Sequence, residues 1–167
     1  MNKIMIKYFF LAIIYTLLQV LVLNEILFNS YIIPFLYIIL IIKLPLKIQK
    51  WFLILFSFFI GFVNDLFSST IGFHSTACVL IGFLKPMLGK ISIPYNLLNE
   101  NDEISLERIG YKSFIVFSFI LILIHSSCLF FIEHLDFNFK IFIKIISSSI
   151  ISLIVIIITE LAIKKQK

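Results

Sequence analysis

The sequence predicts an all-α, polytopic integral membrane protein, with six transmembrane helices in a single domain over residues 1–167. Three observations predict it. Apolar residues make up 61% of the chain and charged residues 14%, against roughly 45–50% and about 25% in ordinary globular domains. A soluble domain of this size still leaves near a third of its surface wet, so lipid has to supply the remaining apolar contact. The apolar residues fall into six runs, and the basic residues stand in short clusters between them, as membrane topology places them. The same figures exclude a disordered chain. The two cysteines, Cys78 and Cys128, lie inside apolar runs and form no disulfide framework; they are expected to pack as small apolar residues. A net charge of +5 scattered in this way is not a nucleic-acid footprint.

The runs are taken in order. Residues 8–23 form the first expected helix. Lys3 and Lys7 precede it as in a signal peptide, but no small-x-small cleavage pattern follows, so it is read as a retained helix. Residues 26–42 form the second, interrupted by Asn29, Ser30 and Pro34; Pro34 fits the first turn of a helix beginning near Tyr31, where its missing N–H costs nothing. Residues 51–64 and 73–84 give the third and fourth, both short of the roughly 20 residues a crossing needs. Residues 113–132 and 141–163 give the fifth and sixth at full length. With the N-terminus inside, all of the 14 Lys and Arg residues except Lys140 and Lys144 fall on the inner side, in keeping with the positive-inside rule.

The catalytic inventory is thin. The chain contains no Gly-rich phosphate loop, CxxC pair, HExxH or GxSxG, and no converging set of metal ligands is visible. His134 sits in an outer loop beside Glu133. His125 lies near the membrane midplane next to Ser126 and Ser127, where an ionisable ring faces the bundle interior and is expected to hydrogen-bond a neighbouring helix. Ser148 and Ser152, four residues apart on the sixth helix, and Thr16 and Gln19 on the first read as interhelical packing contacts. The polar stretch from Lys85 to Lys112, with acidic residues 99–107, reads as a solvated connector with a short helix near Ser105–Ile109, or alternatively as a docking surface for a cytoplasmic partner.

The most informative segment runs from Gly61 to His74. Asp65 ends an apolar helix, with Gly61 four residues before it on the same face. Ser68, Ser69, Thr70 and Gly72 follow. Asp65 is expected to accept from the N–H groups of the turn, with Gly72 supplying a permissive backbone and His74 placed to donate to the acid. One reading is a plain outer hairpin. The other is a braced, partly buried polar turn that shapes a partner surface.

This segment, followed by an apolar helix and Lys85-Pro86, resembles the rod shape-determining protein MreD family. Gly61, Asp65, Gly72 and His74 stand where that family's pattern has a glycine, an aspartate four residues on, a polar turn, a glycine and a histidine, and Lys85-Pro86 matches its basic residue and proline after the fourth helix. The acidic residues 99–107 lie outside the pattern. The resemblance implies a non-enzymatic inner-membrane scaffold of the cell-elongation machinery, without cofactor or metal, working beside MreC and with MreB, RodA and a penicillin-binding transpeptidase. It implies a fold like the six-helix substrate-binding subunit of energy-coupling-factor vitamin transporters, with both termini cytoplasmic. Structural or partner-interface roles then fall on Gly61, Asp65, Gly72, His74, Lys85, Pro86 and His125. The shared fold also leaves a competing expectation, a membrane subunit that binds a small vitamin-type molecule for transport.

Overall fold

The computed structural model of the 167-residue chain describes residues 2–23, 32–97, 101–135 and 138–165. Every regular element among them is helical. The order is α1 (Asn2–Leu18, continued by a π-helical turn Gln19–Leu23), α2 (Ile38–Lys43), α3 (Lys50–Ser68), α4 (Phe73–Ser92), a 3-10 turn Tyr95–Leu97, α5 (Leu106–His134) and α6 (Phe139–Lys165). Four helical stretches are long and apolar enough to cross a membrane: Ile6–Leu23, Lys50–Ser68, Leu106–His134 and Phe139–Ile163. By length and composition these four helices are compatible with a helical membrane protein. α4 has the length, but it carries His74, Thr76, Lys85 and Lys90 and falls below that apolar standard.

The helices are arranged with polar faces inward, as a lipid solvent requires. On α1 the buried residues are Tyr8, Ala12, Tyr15, Thr16 and Gln19, one stripe at helical spacing. Phe9, Phe10, Ile13, Ile14 and Leu17 point outward and are exposed. On α6 the buried stripe is Ile141, Ile145, Ser148, Ser149, Ser152, Ile156 and Glu160, with Phe142, Ile146, Ile150, Ile154 and Ile158 outward. Serines face the bundle because close backbone approach and hydrogen bonding are what hold helices together when lipid is as apolar as leucine.

The second expected span is corrected. Residues 24–31 lie outside the described residues, Ile33–Leu36 are not helical, and only the six residues of α2 are. At about 1.5 Å per residue six residues advance only about 9 Å. Pro34 does not open a helix; it lies within the extended stretch, where it biases Ile33 toward extended backbone. The stretch is nonetheless in the centre of the molecule. Phe35, Tyr37, Ile38, Ile39, Ile41 and Ile42 are each 0% exposed. It runs beside α6 in the same direction, with Ile33 against Ser148, Phe35 against Ser152 and Lys43 against Glu160.

Other boundaries shift too. α3 does not end at Asp65 but continues to Ser68, closed by Ser69 in the left-handed region (φ 55°). α4 does not close at Lys85-Pro86; Pro86 is inside a helix that runs to Ser92. The short helix expected near Ser105–Ile109 is the first turn of α5, set off by Gly110 at φ 76°, ψ 159°. The acidic loop, in its described part, is not a solvated connector. Ile104 is buried, its N–H donates to the Lys43 carbonyl at 3.0 Å, and Glu103 pairs with Lys7 at 2.7 Å. With Lys43 paired to Glu160 and Arg108 to Asp102, this gathers one lysine-rich end of the bundle. The α3–α4 turn and the α5–α6 junction lie at the other end.

Candidate functional site

Two polar units occupy the interior, and the expected residues divide between them. The first is built around Asp65. Its Oδ1 accepts from the Thr70 hydroxyl and from the His74 N–H, both at 2.9 Å, and its Oδ2 accepts from the Ser75 N–H at 2.9 Å and from the Ser75 hydroxyl. Thr70 also donates its N–H to the Asp65 carbonyl at 3.1 Å. The carboxylate, at the end of one helix, thus caps the first turn of the next. His74 and Ser75 are among the N-terminal N–H groups of α4 that have no partner within their own helix, and a carboxylate also suits the positive end of the helix dipole. This corrects the expected partners. From the turn the carboxylate takes the Thr70 hydroxyl, while the Ser69 and Thr70 N–H groups go to the Asp65 carbonyl, and His74 serves the carboxylate through its backbone N–H.

Gly72 is the residue before α4, at φ 86° with open space around it, so it is a glycine for conformational reasons. Gly61 is a glycine for packing. A Cβ there would stand 2.5 Å from the Ser75 Cα and 2.6 Å from the His74 carbonyl oxygen. α3 and α4 therefore touch backbone to backbone where Asp65 reaches across. The four residues of the sequence pattern form one braced, partly buried turn.

The second unit centres on Tyr37, which the sequence analysis did not single out. Its hydroxyl lies 2.7 Å from His74 Nδ1 and 3.0 Å from His125 Nε2. Three elements thus meet: the residue before α2, the first turn of α4 and the middle of α5. Phe35 closes the cluster edge-on to His125, with ring centroids 5.1 Å apart, and Cys78 Sγ lies 3.9 Å from His125 Nε2. His125 is fully buried, as expected of a ring at that depth, and its Nδ1 has no partner. A tyrosine hydroxyl has a single hydrogen. When both rings are neutral, one of them donates to Tyr37 and the other accepts from it. With Tyr37 donating to His74 Nδ1 and accepting from His125 Nε2–H, the orphan His125 Nδ1 is a lone pair rather than an unbonded N–H.

The extended stretch below Phe35 is satisfied by side chains that sequence reasoning took for helix-packing contacts. Gln19 donates to the Pro34 carbonyl and accepts from the Leu36 N–H, both at 2.8 Å. Ser152 accepts from the Phe35 N–H at 2.8 Å and Ser148 from the Ile33 N–H at 3.2 Å. Non-helical backbone at membrane depth persists only when protein groups take its hydrogen bonds. At the other end of α2, Lys85 is fully buried and donates to the Leu44 carbonyl, with the Pro45 carbonyl at 3.5 Å. These are the first two carbonyls past the end of α2, and the amine satisfies them where no backbone N–H of the helix can. α4 therefore grips α2 at both ends, through His74 above and Lys85 below. Pro86 lies partly exposed one residue on and joins neither unit.

Among the described residues no group of three or more His, Cys, Asp or Glu is placed to hold a metal ion. Compared with family models, with curated proteins and with solved structures, the chain matches none.

Proposed function

We propose that this protein is a non-enzymatic membrane scaffold of the bacterial cell-elongation complex, in the manner of the MreD family it resembles. In this role it stands beside MreC, with MreB, RodA and a penicillin-binding transpeptidase as further members, and it supports peptidoglycan synthesis and cell shape. The observation that carries the proposal is the convergence of Gly61, Asp65, Gly72 and His74 on one braced turn. Residues 61–75 gain from their spacing a rigid, shaped end of the α3–α4 hairpin, with Leu66, Phe67 and Ile71 exposed on it. A rigid apolar surface at the edge of the membrane is what a docking component offers.

In this reading the chain crosses the inner membrane six times, as in the vitamin-transporter subunits, with the second pass made by the compound stretch that ends in α2. The lysine-rich end and both termini face the cytoplasm, as the positive-inside rule favours. Lipid holds the helices, and exposed faces and loops hold the partners.

The test is depletion of the protein in its own cell, together with co-purification in mild detergent. Loss of rod shape, and recovery of MreC with the wild type but not with Asp65→Ala, is the expected result. Unchanged shape after depletion overturns the proposal. A small molecule recovered in stoichiometric amount by mass spectrometry overturns it in favour of a transporter subunit.

A further inference from the structure

One hydrogen on Tyr37 stands between two imidazole rings, and only one ring can receive it. The tyrosine is 0% exposed, with its hydroxyl 2.7 Å from His74 Nδ1 and 3.0 Å from His125 Nε2. The rings differ in their access to water. His125 is fully buried, whereas His74 is partly exposed in the first turn of α4, at the end of the bundle away from the lysines. A proton from the medium on that side meets His74 first.

A protonated imidazole has no acceptor nitrogen. With His74 charged, its Nδ1–H points at the Tyr37 oxygen, which then receives from both rings, and the Tyr37 hydrogen is left over. Passing it to His125 Nε2 does not help, because the displaced hydrogen then stands on His125 Nδ1, which has no partner. By either route one buried hydrogen loses its acceptor. The bond needs the neutral ring, so it is present at high pH and lost as the pH falls. Among the described residues, the titratable groups around His74 are Tyr37 of the stretch, Asp65 of α3, Cys78 of its own helix, and His125 and Glu133 of α5. Neither carboxylate bonds the ring: Asp65 already accepts four bonds, and Glu133 lies against Lys144 and His134. The other ties of the stretch, Gln19, Ser148 and Ser152, do not titrate, and Lys85 at the lower grip is fully buried. The upper grip is the one that meets the medium.

We propose that His74 is a pH-operated latch: protonation from the medium at the α3–α4 turn reverses its bond to Tyr37 and loosens the hold of α4 on residues 35–40, and deprotonation restores it. The inference does not depend on the proposed scaffold role.

The full-length protein in mild detergent is followed from about pH 8 to about pH 5. Hydrogen exchange, corrected for the pH dependence of the chemical step, reads the Leu36, Ile39 and Leu40 amides, whose bonds lie within the stretch or tie it to Gln19. Nitrogen-15 NMR reads the His74 ring in the same samples. Protection at these amides is expected to fall by about 5–150-fold, the effect of one orphaned buried donor, in step with the titration of His74. His74→Asn sets an amide oxygen near the place of Nδ1, cannot titrate, and is expected to keep its protection throughout. Tyr37→Phe is expected to lose the step while His74 still titrates. His125→Gln, with a donor near the place of Nε2, is expected to retain the step. Unchanged protection in the wild type overturns the proposal, as does a step that survives in either His74→Asn or Tyr37→Phe. A step lost in His125→Gln but kept in His74→Asn overturns His74 as the latch. Should His74→Asn not fold, the wild type and Tyr37→Phe decide between them.

Discussion

Replacing Asp65 tests whether the hinge between α3 and α4 is held by hydrogen bonds or merely by packing. The carboxylate accepts from two backbone N–H groups of α4 and from two hydroxyls, and it is 4% exposed. Asp65→Ala leaves the His74 and Ser75 N–H groups without an acceptor, at about 1–3 kcal/mol for each buried donor. The two hydroxyls can rotate toward other acceptors and add little. The expected loss is therefore about 2–6 kcal/mol. Asp65→Asn keeps one oxygen for Thr70 and His74 and turns an amide N–H₂ toward the Ser75 N–H. That sacrifices one backbone bond, about 1–3 kcal/mol, while the amide donates to the Ser75 hydroxyl. Thermal unfolding in mild detergent measures both losses, and hydrogen exchange at the Ser75 amide localises them. If both variants fall within about 0.5 kcal/mol of the wild type, the range of an uninvolved surface site, the capping argument fails. If Asn costs as much as Ala, charge rather than the number of acceptors holds the turn.

Other expectations rest on different contacts. Gln19→Leu orphans both the Pro34 carbonyl and the Leu36 N–H, and a loss of about 2–6 kcal/mol is expected by the same unfolding assay; stability like the wild type would mean the extended stretch is held by other means. Gly61→Ala pushes α3 from α4 and is expected to cost about 1–3 kcal/mol through overpacking. Gly72→Ala meets no neighbour and pays only for its left-handed backbone, about 1–2 kcal/mol, so a cross-link between α3 and α4 should report a changed separation in the first variant and not in the second. In nitrogen-15 NMR spectra at neutral pH, both His74 and His125 are expected to carry their proton on Nε2, and Tyr37→Phe is expected to abolish that coupling; a proton on His125 Nδ1 would contradict the proposed bond direction.

The sequence made the braced turn legible because each of its residues is there for a reason that acts locally. Gly61 and Asp65 share a helix face by spacing alone, and Gly72 marks a backbone that other residues resist. What spacing did not reveal is that Asp65 serves the following helix. That depends on where the turn delivers the first N–H groups of α4. The compound stretch was less legible. Apolar residues at 33–42 look alike whether helical or extended, because burial on every side erases periodicity. The signal was indirect: Pro34 breaks the hydrogen-bond ladder, and inside a membrane the freed groups demand partners. Gln19, Ser148 and Ser152 were in view as polar residues on apolar helices, but their targets lay more than a hundred residues away for the serines. Tyr37 gave no signal at all, since one tyrosine in an apolar run does not announce two histidines. Lys85 stood out through the Lys85-Pro86 match, but nothing in the sequence showed that its amine ends inside the bundle against the carbonyls after α2.

The dependence of residues 33–36 on both α1 and α6 sets a schedule for biogenesis. The Ile33 and Phe35 N–H groups find their acceptors only once Ser148 and Ser152 have been made, 115 and 117 residues later in the chain. Until then those two buried donors have to be satisfied by water or by other groups. A chain that stops before α6 would leave the centre of its own fold without these two acceptors.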